Sequence, residues 1–234
     1  MTVRLPLFPL GTVLFPGLVL PLHIFEPRYR ALIRDLMELP ADQSREFGVI
    51  AIRGGWEVPA TSPGGLTAGG SLTLYDVGCT AEIRQITEHP DGRFDIVTVG
   101  RRRFRLAGLA SDPSTSPYLV GEVDLLAEAT GDESSVERLA TAVLELFQRY
   151  ITLMRRDAPE VGEQLPDRPA VLSYLVAASA ALSVDDKQRL LAAADTAKRL
   201  RAERSLLRRE LALLSRLRAV PAPLGDLTAP GSPN

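Results

Sequence analysis

Three side chains in this 234-residue sequence are suited to nucleophilic or soft-metal chemistry: His23 and His89, its only histidines, and Cys79, its only cysteine. A metal centre needs several such donors close together. None of the three stands at ligand spacing along the chain, so no metal and no other cofactor is expected. His23, inside PLHIFEP, reads as a packed histidine bonded to backbone. Cys79 follows Gly78 in a strand-like pattern, which favours an inert core thiol over a nucleophile. Nucleotide chemistry has no G-x-x-x-x-G-K-[ST] element to rest on, and neither Lys187 nor Lys198 follows a glycine-rich loop. No serine sits in a G-x-S-x-G elbow, and no carboxylate pair stands out as acid and base. The expectation is a chain without catalytic residues, not an enzyme.

Arginine is the remaining polar signal. Arg101, Arg103 and Arg105 alternate along a strand pattern, and Arg201, Arg204 and Arg208 form a stripe on a helix pattern. Solvated faces are the expected reading, with strand charges discouraging edge pairing. The alternative is an RNA-associated protein that binds through these arginine-rich surfaces, although neither stripe is interleaved with aromatics in a recognisable module.

The elements that must hold these residues fall into two halves. Residues 1–127 read as short strands punctuated by proline and glycine, with one short helix near 27–39. Pro6, Pro9, Pro16 and Pro21 interrupt the first apolar segments, so these are expected as edge or irregular strands. A hairpin is expected over 75–100, turning at His89-Pro90-Asp91-Gly92, with further strands at 101–109 and 117–126. In the early helix, Tyr29, Ala31, Ile33, Leu36 and Met37 are expected to face inward. Residues 128–218 read as a helical domain, with helices over 136–156, 169–182 and 184–217 and a break near Asp195-Thr196. Ser134 or Ser135 is a candidate cap for the first of these helices and Ser183 for the last. Leu200, Leu207, Leu211 and Leu214 make one apolar seam, able to pack within the chain or against a partner subunit. Residues 219–234 read as a disordered tail. The fold class is therefore α+β, a small, partly closed β-barrel followed by a helical bundle.

A net charge of −2 gives no general pull toward nucleic acid or anionic membrane. A single cysteine fits a reducing cytoplasm, prolines break the N-terminal apolar stretch against a signal peptide, and no window reaches membrane-spanning length. The excess of arginine over lysine and the abundant alanine fit a GC-rich bacterial genome.

Three segments carry a family resemblance. FPLGTVLFPGLVLPLHIFEPRYRALI (8–33) contains E-P-R-Y-x-x-L on Glu26, Pro27, Arg28, Tyr29 and Leu32. VGCTAEIRQITEHPDGRFDIVTVGRRRFRL (77–106) contains G-[TC]-x-A-x-I from Gly78 and G-x-x-R-F-R on Gly100, Arg103, Phe104 and Arg105. DDKQRLLAAADTAKRLRAERSLLRREL (185–211) contains a K-Q-x-L-L…R-L element on Lys187, Gln188, Leu190, Leu191, Arg199 and Leu200. In this order they resemble the amino-terminal, substrate-binding domain of Lon proteases, with Ala192 where that family carries glutamate. The resemblance implies a PUA-like β domain and a helical bundle, in a stand-alone form without the ATPase and protease modules. It further implies a non-enzymatic polypeptide-binding or adaptor protein whose partner is an unfolded or tagged polypeptide, or another protein. Phe15, Leu18, Phe25 and Trp56 are then candidate peptide anchors. Glu26 and Arg28 are expected to pair where strand hands over to helix, with Tyr29 packed beneath.

Overall fold

The computed structural model describes residues 2–40, 42–54, 73–110, 116–154 and 166–218. Trp56, the 219–234 tail and most of the glycine-rich segment 54–70 lie outside them. Among the described residues the chain forms β1 (Thr2–Leu10), β2 (Val19–Ile24), α1 (Pro27–Met37), β3 (Glu46–Gly54), β4 (Thr73–Leu74), β5 (Val77–Glu88), β6 (Phe94–Leu109) and β7 (Val120–Leu125). The helices α2 (Glu133–Met154), α3 (Pro169–Ser179), α4 (Val184–Leu191) and α5 (Thr196–Arg218) follow. None of these helices is long and apolar enough to cross a membrane.

The strands run in the order β1-β7-β6-β5-β3-β4, and an additional β1–β3 pairing closes five of them into a ring. β2, paired to β6, and the short β4 stand outside that ring, so the barrel is partly closed. β1 tolerates its prolines by changing partners. Its first half, up to Pro6, pairs antiparallel with β7, and its second half, from Leu7, pairs parallel with β3. Each half is thus paired on one flank, where a missing N–H removes no ladder bond.

The hairpin turns where expected, with His89 N–H donating to the Arg93 carbonyl at 2.8 Å and Gly92 in the left-handed region at φ 75°. Its second arm does not stop at Gly100 but runs on as one 16-residue strand. A bulge interrupts it, because Cys79 pairs with Arg103 whereas Ala81 pairs with Gly100. The Thr80 hydroxyl accepts from the Arg102 N–H at 3.1 Å inside that bulge.

Pro27 opens α1 at a position where no N–H is needed. The buried face of α1 is Tyr29, Leu32, Ile33 and Leu36, a strict i, i+3, i+4, i+7 set. Leu32 takes the place expected for Met37, which lies exposed. This face covers a barrel core that includes Phe8, Phe47, Phe94 and Ile96. In the helical half, Leu200, Leu207 and Leu211 pack with Val136, Leu139, Val143 and Phe147 of α2. The leucine seam is consumed within the chain. Ser183 caps α4 by accepting the Asp186 N–H at 3.1 Å, and α5 begins at Thr196, where the break was expected. At α2 the cap is Asp132, not a serine: its Oδ1 accepts the Ser134 N–H at 3.2 Å.

Candidate functional site

A third apolar cluster joins the halves: Phe15 and Val77 from the strand side meet Tyr174, Ala177, Leu190 and Leu191 from the helices. Beside it lies a polar hub. Arg103 leaves β6 from the bulged stretch and is buried, with Nη1 donating to the carbonyls of Leu191 at 2.9 Å and Ala193 at 2.6 Å. These carbonyls end α4, where a cation also meets the negative end of the helix dipole. The Nε of Arg103 stands 3.3 Å from Glu128 Oε2. Arg199 of α5, fully buried, donates to Glu128 Oε1 at 2.8 Å and to Ser173 Oγ at 2.6 Å, with its guanidinium 3.9 Å from the Tyr174 ring centre. Tyr174 donates its hydroxyl proton to Glu128 at 2.5 Å. Burial pushes the Glu128 carboxyl up, but its hydrogen bonds from Tyr174 and Arg199 and the two guanidinium charges outweigh that and hold it below its ordinary value. One turn further along α5, Glu203 accepts from Ser173 at 2.9 Å, and burial pushes its carboxyl up to about 8.

Other motif residues serve the same junction. Gln188 donates from Nε2 to the Val77 carbonyl at 2.7 Å, and Lys187 donates from Nζ to the Ala178 carbonyl in the last turn of α3 at 3.1 Å. Burial lowers the Lys187 pKa. Gly78 and Gly100 stand at close approaches. A Cβ on Gly78 would lie 2.3 Å from Phe104 Cζ and 2.5 Å from the Val49 carbonyl oxygen; one on Gly100 would lie 2.2 Å from the Phe15 carbonyl oxygen. Phe104 itself packs with Leu7, Ile50 and Val123. Glu26 and Arg28 form an ion pair at 2.8 Å, and the Arg28 guanidinium lies 4.6 Å from the centre of the Tyr29 ring. Tyr29 stacks on Phe8 with centroids 3.9 Å apart, and burial pushes its hydroxyl up to about 12.

The arginine stripe on β6 does not form as one solvated face. Arg103 is buried because the carbonyls that end α4 and the Glu128 carboxylate cover it; Arg105, two residues on along the strand, stays exposed, as does Arg101, which pairs with Glu82 at 3.0 Å. Cys79 is buried, and burial pushes its thiol up to about 12.

The candidate anchors separate. Phe15 is 1 % exposed and belongs to the junction core, so it offers no surface to a peptide. Leu18 is half-buried against two core clusters. Phe25 is 60 % exposed, and Val19, which the sequence did not single out, is 61 % exposed. Both belong to the outlying strand β2 or its end. Between them along β2, Pro21 lines an open groove of about 350 Å³ with Gln85, Thr87 and Val97 of β5 and β6, and His23 at its end stands 6.2 Å from the Phe25 ring.

The same groove reaches His23 and Asp95. Separation along the chain is no guide here: β2–β6 pairing sets His23 opposite Asp95, and the hairpin turn returns His89 to the same carboxylate. His23 Nδ1 lies 2.6 Å from Asp95 Oδ1, and His89 Nε2 lies 2.7 Å from Oδ2. These hydrogen bonds hold the Asp95 carboxyl below its usual range. The three residues are the one set of imidazole, thiol and carboxylate donors close enough to hold a metal ion among the described residues. Separation along the chain, on which the expectation of no metal rested, thus does not carry over to separation in space for these two histidines.

Glu128, Tyr174, Ser173 and Glu203 went unmarked in the sequence. Glu203 had a signal: it stands three residues after Leu200 and four before Leu207, inside the apolar seam.

A sequence profile described as the ATP-dependent protease La (LON) substrate-binding domain matches residues 4–209. Lon protease 2 of Myxococcus xanthus is 29% identical over 215 residues, which cover 90% of this chain and 24% of that protein. The Lon protease of Escherichia coli K12 is 28% identical, over 91% of this chain and 25% of its own length. The chain thus spans about a quarter of the length of these relatives. Among solved structures, a Lon N-terminal domain protein from Xanthomonas campestris aligns with a TM-score of 0.57 at 26% identity, over 88% of this chain and 98% of that one. The N-terminal domain of the Mycobacterium avium complex Lon protease aligns with a TM-score of 0.64 at 20% identity, with the same coverage, and shows likeness of fold.

Proposed function

The chain belongs to the family of Lon substrate-binding domains, and on that footing we propose that it binds unfolded or tagged polypeptide and presents it to a proteolytic partner, without bond-breaking chemistry of its own. The family match over residues 4–209 carries this reading. The surface that suits it best is the open groove beside Val19 and Phe25. An extended segment laid there would bury its own apolar side chains against Phe25 and Val19, while Gln85 and Thr87 offer hydrogen bonds across the strands. Fully burying one large apolar side chain contributes roughly 1.5–3 kcal/mol. Two anchors therefore give a weak, readily released grip, which suits a molecule that hands clients on.

The test is fluorescence anisotropy with a dye-labelled, reduced and carboxymethylated polypeptide that cannot fold. Saturable binding is expected, weakened at least about tenfold in a Val19→Asp, Phe25→Asp double variant, equivalent to ~1.4 kcal/mol. Absence of saturable binding to the parent chain overturns the function. Undiminished binding by the double variant removes the site from this face.

A further inference from the structure

We propose that His23, His89 and Asp95 form a binding site for a divalent transition-metal ion of the zinc, nickel, cobalt and copper class. The sequence holds two histidines, and the fold brings both to one carboxylate. Each ligand has a fixed backbone: His23 by its register with Asp95, and His89 by the turn bonds to Arg93 and Gly92. One donor atom from each residue lies within 4.8 Å of the other two. A tetrahedral ion with bonds of about 2.0–2.1 Å holds its donors roughly 3.4 Å apart. Rotation of these exposed or half-buried side chains closes the difference, with the carboxylate moving aside from between the rings.

A change of tautomer allows the exchange. In the hydrogen-bonded state each ring can donate a proton to Asp95 from the nitrogen nearest it. The tautomer with its proton on the opposite ring nitrogen instead turns a lone pair toward the ion. Two imidazole nitrogens and one carboxylate oxygen suit borderline transition ions and fit calcium or magnesium poorly, since those prefer six or more oxygens. Three protein ligands leave the solvent side open for water. The ion would clamp the outlying strand β2 to the β5–β6 hairpin, stabilising the folded chain by mass action.

This inference is independent of polypeptide binding, and its probe is metal alone. The full chain is prepared without a histidine tag, so that His23 and His89 are the only imidazoles in solution. Isothermal titration with zinc chloride, and cobalt chloride followed by visible absorption, should show one saturable site per chain and cobalt bands of four- or five-coordinate intensity. His23→Gln, His89→Gln and Asp95→Asn should each weaken it at least about tenfold, while excess magnesium leaves it intact. Circular dichroism establishes that each variant is folded. In a second measurement, zinc should shift the NMR signals of both imidazole rings. No saturable binding, affinity unchanged in His89→Gln, or zinc leaving the imidazole signals in place would each overturn the proposal.

Discussion

Arg103 from the sheet and Arg199 from α5 meet on a single carboxylate, with Glu128 accepting from Arg199 at 2.8 Å and standing 3.3 Å from Arg103. Glu128 lies in the connection between the last strand and the first long helix of the bundle. The chain thus closes its two halves around a charge triad whose arginines are both buried. Apolar packing of Phe15 against Tyr174, with ring centroids 6.0 Å apart, lies alongside. The triad adds direction: a guanidinium fork must find the carbonyls that end α4, which fixes the angle at which the helices sit on the barrel.

Arg103→Ala should therefore destabilise the whole chain. Removing one partner of a buried pair costs roughly 3–5 kcal/mol, and the half-exposed Glu128 reduces that, so about 3 kcal/mol is expected. Arg103→Lys should recover only part, because an ammonium cannot reproduce the fork that reaches two carbonyls and a carboxylate. Urea unfolding followed by circular dichroism measures both. A midpoint for Arg103→Ala equal to that of the parent chain contradicts the structural role.

Glu203 gives a pH dependence with a definite sign. Its carboxyl lies at about 8 in the folded chain, against an ordinary 4.5. Between those values the unfolded chain has released this proton and the folded chain has kept it, so the group lowers stability as pH rises through that window. The hydrogen bond from Ser173 and the charge of Arg199 offset part of the burial. Glu203→Gln, which keeps the shape of the protonated acid, should match the parent near pH 4.5 and exceed it progressively up to pH 8. The gain there is on the order of a few kcal/mol. Denaturation midpoints of the two proteins across that range, differing by a constant amount, would contradict the buried, protonated state.

Gly78→Ala tests the close approach at the start of β5. The new methyl would meet the Phe104 ring and the Val49 carbonyl oxygen at once. Overpacking of this kind costs about 1–3 kcal/mol when a neighbour can yield, and backbone yields least. Phe104→Leu added to Gly78→Ala should therefore fail to restore the melting temperature, since the carbonyl remains in place. Full rescue by the leucine would show that the ring alone sets the constraint.

Much of this architecture was legible in the sequence for local reasons. Pro27, Ser183 and Gly92 act on their own neighbourhood, so α1, α4 and the hairpin turn stand where their spacing puts them. The inward face of Phe94, Ile96 and Thr98 follows from strand alternation. The solvated-face reading failed at Arg103, because the end of α4, far along the chain, covers it, and nothing in RRRFR marks which arginine is covered. Phe15 and Phe25 look alike as exposed-anchor candidates, yet Phe15 is buried by helices that arrive much later in the chain. Long-range pairing likewise brought His23 to His89 and Glu128 to Arg199, and neither meeting has a signature in local pattern.

Cys79 offers a last check, on the closure of the barrel itself. It is the sole thiol of the chain, it is buried, and burial pushes its pKa up to about 12, far from the range in which thiolate forms readily. A thiol reagent such as dithionitrobenzoate can react with it only when the strands around Val49, Cys79 and Arg103 open. Labelling of the native chain should be slow and should speed up with added urea. It should also be faster in Arg103→Ala than in the parent, because Arg103 is the β6 partner of Cys79 in the sheet. Stoichiometric reaction within seconds in native buffer would mean that the barrel around Cys79 is open, and the packing described for β3, β5 and β6 would have to be abandoned.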